Sequence, residues 1–162
     1  YLKLSSAIPK GVKRILDTSG NRMIAGLRNG AYLIKPNLDE LQEMTGEHYD
    51  SFEEMAKGCE KLVEAGAENV LLSLGRKGAI LTDGDKAYFC KSASVAVNST
   101  VGAGDGMVAA AAVMIEQNAP YEEVLRCAVA AGTASVTTPG TNLFYKDKFI
   151  EIYQKIRVER IR

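Results

Sequence analysis

The sequence has no tryptophan, a single histidine, three cysteines and four prolines in 162 residues, and its 20 basic side chains are cancelled by 20 acidic ones. Each scarcity removes a class of function. One histidine, His48, cannot build a multi-histidine metal centre. Set in the acidic stretch Gly46 to Asp50, it reads as a solvated loop residue and not as the base of a Ser-His-Asp triad. Cys59, Cys90 and Cys127 are widely separated, odd in number and in no C-x-x-C pair, so neither a disulfide framework nor a zinc knuckle is implied, and they read as reduced core thiols. Charge balance with a pI near 6.8 gives a polyanion nothing to hold, which argues against a nucleic-acid partner and for a small ligand. The longest apolar run, Met107 to Ile115, falls well short of the ~20 residues a bilayer span needs, so no membrane role is expected and its alanines suggest a buried helix. Tyr1 to Ala7 has neither a start methionine nor the charged-then-apolar layout of a secretion signal. The expectation is a cytoplasmic protein, with this chain a piece of something longer.

What is present is ordinary globular material: 46% hydrophobic and 25% charged residues, enough to bury a core without staples. Periodicity gives the order of elements. Arg14 to Leu16 ends a short strand, Asp17-Thr18-Ser19-Gly20 is a loop, and a short helix covers about 21–28. Ala31 to Ile34 is a strand broken by Lys35-Pro36-Asn37. A helix follows with Leu38, Leu41 and Met44 on one side, stopped at Thr45-Gly46. Ser51 and Glu54 have capping-box spacing and open a helix that runs to Gly66. Val70 to Leu74 is an unbroken apolar run, as a strand buried on both faces of a parallel sheet requires. Ala79–Thr82 and Lys86–Cys90 form a hairpin across Asp83-Gly84-Asp85, and Ser94–Val97 reads as a further strand. Helices are expected from the glycines at 102–104 to Asn118, from Pro120 to about Ala131, and over Lys146 to Arg157. Alternating strands and helices, with no repeat or linker, make one α/β domain with a mainly parallel sheet.

Three places could carry chemistry. Gly102-Ala103-Gly104-Asp105 enters a helix, where glycines permit close backbone approach and the first turn offers unpaired N–H groups and about half a positive charge to an anion. Asp105 is then either a base beside that anion or a residue that merely complements the helix dipole. Asn37 and Glu40 are spaced for a capping box, but the same spacing puts an amide oxygen and a carboxylate at one helix end after a strand, where a hydrated magnesium could be organised. Ser73-Leu74-Gly75-Arg76-Lys77-Gly78 ends a buried strand in a two-glycine turn, equally good as a ligand rim or as a plain turn. No G-x-x-x-x-G-K-[ST] or G-x-G-x-x-G motif is present.

Taken in order, Lys35-Pro36-Asn37-x-x-Glu40, Ser73-Leu74-Gly75-x-x-Gly78 and Ser99-Thr100-Val101-Gly102-Ala103-Gly104-Asp105 resemble the ribokinase-like (PfkB) family of carbohydrate kinases. Leu16-Asp17-Thr18-Ser19-Gly20 followed by Lys35-Pro36-Asn37 is similar to its 1-phosphofructokinase and tagatose-6-phosphate kinase branch. The resemblance covers nearly the whole chain and corresponds to the carboxyl-terminal half of a family member. It implies a three-layer α/β sandwich whose amino-terminal half and lid are not in this chain. ATP and Mg2+ are implied, with a phosphosugar substrate and dimer contacts through the lid. Residue by residue, Asp105 resembles the catalytic base, and Gly102, Ala103 and Gly104 the anion hole. Asn37 and Glu40 match the residues that organise magnesium through water. Ser73, Gly75 and Gly78 match the turn bordering the nucleotide, and Ala130 to Gly132 would lie near the adenine. Lys35 could add a positive charge, although a solvated lysine is the plainer reading. Ser5 to Val12 resembles a family segment normally followed by a crossover helix. Here Lys13-Arg14-Ile15 follows at once, and since parallel strands need about a dozen residues of connection, a gapped chain is expected. The implied reaction is phosphorylation of fructose 1-phosphate to fructose 1,6-bisphosphate. The alternatives are tagatose 6-phosphate or another sugar, or a non-catalytic nucleotide-binding fragment.

Overall fold

The computed structural model describes residues 7–9, 11–140 and 142–162. Ser5, Ser6 and Lys10 of the amino-terminal segment compared above lie outside the described residues, as do Tyr1 to Leu4. Six strands form a mostly parallel open sheet in the order β1 (Ile15–Leu16), β2 (Leu33–Ile34), β3 (Val70–Ser73), β4 (Ala79–Thr82), β5 (Ala87–Cys90) and β6 (Val158–Arg160). The helices are α1 (Gly20–Leu27), α2 (Leu38–Thr45), α3 (Phe52–Glu64), α4 (Ala103–Glu116), α5 (Tyr121–Ser135) and α6 (Lys146–Lys155). By internal contacts the chain divides into two compact units. The first comprises the described residues up to Ser73 with Ile80–Ala87 and Ile161–Arg162, the second Leu74–Ala79 and Tyr88–Arg160.

In the first unit β1, β2 and β3 are parallel, in the register Ile15↔Leu33, Leu16↔Ile34 and Ile34↔Val70. Val70, Leu71 and Leu72 are all fully buried, the two-sided burial their unbroken apolar run calls for. Each such side chain contributes about 1.5–3 kcal/mol. Both helix starts read from spacing are real. Glu54 N–H donates to Ser51 Oγ at 3.1 Å, and Ser51 N–H to Glu54 Oε2 at 3.2 Å, opening α3. The Glu54 carboxyl is held below its ordinary pKa by those backbone donors at Asp50 and Ser51. Gly46, at φ 71°, ends α2. His48 is solvated, with Nε2 3.2 Å from Asp50 Oδ1.

In the second unit β5 and β6 are antiparallel, with Tyr88 opposite Arg160. Sequence reading gave no strand at Val158–Arg160, because two of its three residues are charged and exposed. The strand expected at Ser94–Val97 does not form. No described segment pairs with it, Val97 is 61% exposed, and the chain is tied instead to the end of α5, where Asn98 N–H donates to Val136 O at 2.8 Å and Asn98 Nδ2 to Thr137 O at 2.7 Å. Nor is the apolar run of α4 wholly buried: Met107, Ala111 and Ile115 form a one-sided stripe while Val113 is exposed. All three cysteines are free and buried, and burial pushes the Cys59 and Cys90 thiols up to about 12.

Two glycines seat α4 on α5. A methyl group on Gly132 would come within 2.5 Å of Met107 Cγ and 3.2 Å of Ala103 O, and one on Gly106 within 2.5 Å of Ser135 Oγ. α5 runs on to Ser135, past the expected end near Ala131, with Gly132 packed against Met107 within it. On the far side of α5, Arg126 stacks 3.9 Å above the Tyr153 ring and donates to Tyr153 O at 2.8 Å, fixing α6. Gly132→Ala gains up to ~1 kcal/mol of helix propensity but overpacks a contact bounded by backbone, at about 1–3 kcal/mol. The expected outcome is a net loss of stability, seen as a lower denaturation midpoint in a urea titration.

Candidate active site

In the first unit the site residues sit at the carboxyl ends of β2 and β3. Pro36 O accepts from Ser73 N–H at 2.9 Å and from Ser73 Oγ at 3.2 Å, and an isolated parallel bridge pairs Asn37 with Ser73. Asn37 caps α2 reciprocally: Glu40 N–H donates to Asn37 Oδ1 at 2.8 Å and Asn37 N–H to Glu40 Oε2 at 2.9 Å. The structure therefore brings Asn37, Glu40 and Ser73 together. It satisfies the capping interpretation in full while leaving Glu40 Oε1 without a bond from any described residue. Beside them is a pair that sequence reasoning missed. Lys35 is only 9% exposed, and its Nζ lies 3.2 Å from Asp17 Oδ1. The available signal was position alone, since each residue directly follows an apolar strand.

In the second unit Gly75–Lys77 makes a single 3-10 turn closed by Gly78 N–H to Gly75 O at 3.1 Å and Leu74 N–H to Gly78 O at 2.9 Å. Gly78 can carry no side chain, because a Cβ would fall on the Cys90 carbonyl oxygen. At the start of α4, Gly102 takes φ 83° and ψ −4°, a left-handed conformation that favours glycine, with open space where its side chain would be. Gly106 N–H makes the first helical bond, to Gly102 O at 2.9 Å, and Ala103 N–H reaches Thr100 O at 3.4 Å. The Gly104 and Asp105 amides have no helical acceptor, and among the described residues no side chain caps them. Asp105 is exposed in that same turn. Gly132 is brought to Ala103 by the helix packing and is itself buried.

The second unit thus offers an anion-ready set of N–H groups with one exposed carboxylate beside it. The first offers a carboxylate oxygen, an amide cap and a buried ammonium at a sheet end. Among the described residues no three His, Cys, Asp or Glu side chains converge to cage a metal ion. Among them, too, no helix is long and apolar enough to cross a membrane.

The family model described as "pfkB family carbohydrate kinase" matches residues 2–148. A 1-phosphofructokinase of Borreliella burgdorferi is 34% identical over 163 residues, covering 99% of this chain and 52% of that protein. An ATP-dependent 6-phosphofructokinase isozyme 2 of Escherichia coli is 36% identical over 152 residues, covering 93% of this chain and 49% of that one. The structure of an Arabidopsis thaliana ribokinase complexed with ribose and ATP superimposes with a TM-score of 0.82 at 29% identity, over 94% of this chain and 51% of that one. The fold is ribokinase-like, and the chain spans about half the length of the curated relatives it matches. On the family match over most of its length, the chain belongs to the pfkB family of carbohydrate kinases.

Proposed function

We propose that this chain is the carboxyl-terminal portion of one kinase domain that transfers the terminal phosphoryl group of ATP to fructose 1-phosphate, giving fructose 1,6-bisphosphate. The observation that carries the reading is the first turn of α4, where unmet Gly104 and Asp105 amides and the exposed Asp105 carboxylate occupy one helical turn. Phosphoryl transfer asks a protein for positioning and for donors at the oxygens that gain charge, and such amides supply both. Asp105 takes the proton of the sugar 6-hydroxyl as that oxygen bonds to the terminal phosphorus and the bond to the ADP oxygen breaks. Gly102 shapes the approach, and Ala103 and Gly104 complete the anion hole. Ser73, Gly75 and Gly78 border the nucleotide, with Gly132 behind the anion hole on the adenine side.

Magnesium suits the residues at α2. Glu40 Oε1, which no described residue bonds, gives one hard carboxylate oxygen, a donor that fits a small hard cation keeping most of its waters. Asn37 and Glu40 would hold it through those waters, where it would neutralise phosphate charge. Lys35 adds a positive charge at the same sheet end. The sugar contacts and the lid, with any dimer formed through it, belong to the half of the family's length that this chain does not span.

A second reading, a 6-phosphofructokinase acting on fructose 6-phosphate, draws on the 36% identity to the Escherichia coli enzyme of that name. A substrate panel of the two fructose phosphates, tagatose 6-phosphate and ribose separates them. Phosphorylation of ribose alone would remove the phosphosugar assignment.

In the full-length enzyme, Asp105→Asn is expected to lower kcat by about 10²–10⁴-fold, the range of a lost general base. ATP affinity by calorimetry should stay near wild type, and unimpaired turnover would eliminate Asp105 as the base. Glu40→Gln keeps an oxygen able to accept from Asn37 N–H, so α2 stays capped. The half-saturating Mg2+ concentration should rise about tenfold, as for a lost outer-shell carboxylate.

A further inference from the structure

The kinase reading gives Lys35 a charge but no reason for its burial. Lysine is almost never buried unless paired, yet the Lys35 side chain is 11% exposed, against 32% for that of Asp17. Backbone register builds the pair. Ile15 and Leu16 are matched with Leu33 and Ile34, so the next residues, Asp17 and Lys35, emerge abreast where two parallel strands end. Lys35 N–H also donates to Leu16 O at 3.3 Å, which ties its backbone to β1. An ammonium carries three donors, and among the described residues Asp17 is the acceptor for one of them. The other two remain at the carboxyl end of the sheet, the end at which open α/β sheets bind ligands. Asn37, two residues on, begins the helix assigned above to magnesium.

We infer that Asp17 is a positioning residue: its carboxylate anchors the Lys35 ammonium at the sheet end so that the remaining N–H groups meet a phosphate of ATP. This rests on the kinase reading above. Asp17 acts through Lys35 and not by touching the nucleotide, since a carboxylate beside a phosphate would repel it. Being anchored, the long lysine chain need not be immobilised again when the anion arrives, and that saving appears as ATP affinity.

The test is a double-mutant cycle in the full-length enzyme, with kcat/KM for ATP measured for Asp17→Asn, Lys35→Met and the double variant. Loss of a charge-assisted contact predicts a fall of about tenfold or more in each single variant. Because Asp17 works through Lys35, the double variant should lie within about twofold of Lys35→Met. Asp17→Glu, which keeps the charge, should recover most of the loss. Multiplying losses in the double variant would overturn the inference, as expected if Asp17 itself served the metal. So would wild-type kcat/KM in either single variant, including an Asp17→Asn enzyme whose only defect is a lower melting temperature. If Asp17→Asn does not fold, the same cycle is run with Asp17→Ser and Lys35→Gln, with coupled losses supporting the inference and additive ones overturning it. Should the wild-type enzyme phosphorylate no fructose phosphate, the proposed function fails. The cycle is then read from ATP affinity by calorimetry, where the same coupling supports the inference and its absence overturns it.

Discussion

The first amides of a helix have no partner within the helix, and in α4 the chain leaves them that way. Gly102 turns the backbone in a left-handed conformation and brings no side chain to cap them. The residues on either side of Asp105 are small, so nothing covers the turn from within its own sequence. What fixes the turn in space is the seating of α4 on α5, where Gly106 and Gly132 let the two backbones approach more closely than any larger residue would permit. An anion site made of peptide groups can be no more precise than the helix that carries it. Here that helix rests on an almost completely buried neighbour, itself clamped to α6 by Arg126 and the Tyr153 carbonyl.

Where local chemistry decides structure, the sequence was legible. Asn37 with Glu40 and Ser51 with Glu54 each cap a helix with bonds between near neighbours, and both helix starts fell where the spacing put them. Val70 to Leu72 needed nothing beyond its own composition to be read as a two-sided strand. Failures came where the deciding partner lies far along the chain. Ser94–Val97 has strand-forming residues and no described strand beside it, while the charged Val158–Arg160 is a strand because β5 offers it an edge. Lys35 was read as solvated, since nothing near it in sequence reveals that Asp17 arrives beside it through strand register. The helix expected to reach about Ala131 runs on to Ser135, through a Gly132 whose packing partner comes from α4.

The same distinction governs what the motifs mean. Gly78 matches a nucleotide-bordering turn, yet the Cys90 carbonyl alone forbids any other residue there. Its identity therefore carries little information about a ligand. Asn37 and Glu40 likewise have a sufficient structural reason. Capping, however, consumes particular atoms: Asn37 Oδ1 and Glu40 Oε2 are committed to peptide donors, and Glu40 Oε1 is not. A structural task and a chemical one conflict only when both require the same atom. At α2 the cap uses one oxygen of the Glu40 carboxylate and, by holding that group in one orientation, leaves the other oxygen for the cation proposed above. At α4 the division is cleaner still, because no described residue accepts from the Gly104 and Asp105 amides. The case for function therefore rests most heavily on α4, where packing explains everything except the groups that face solvent.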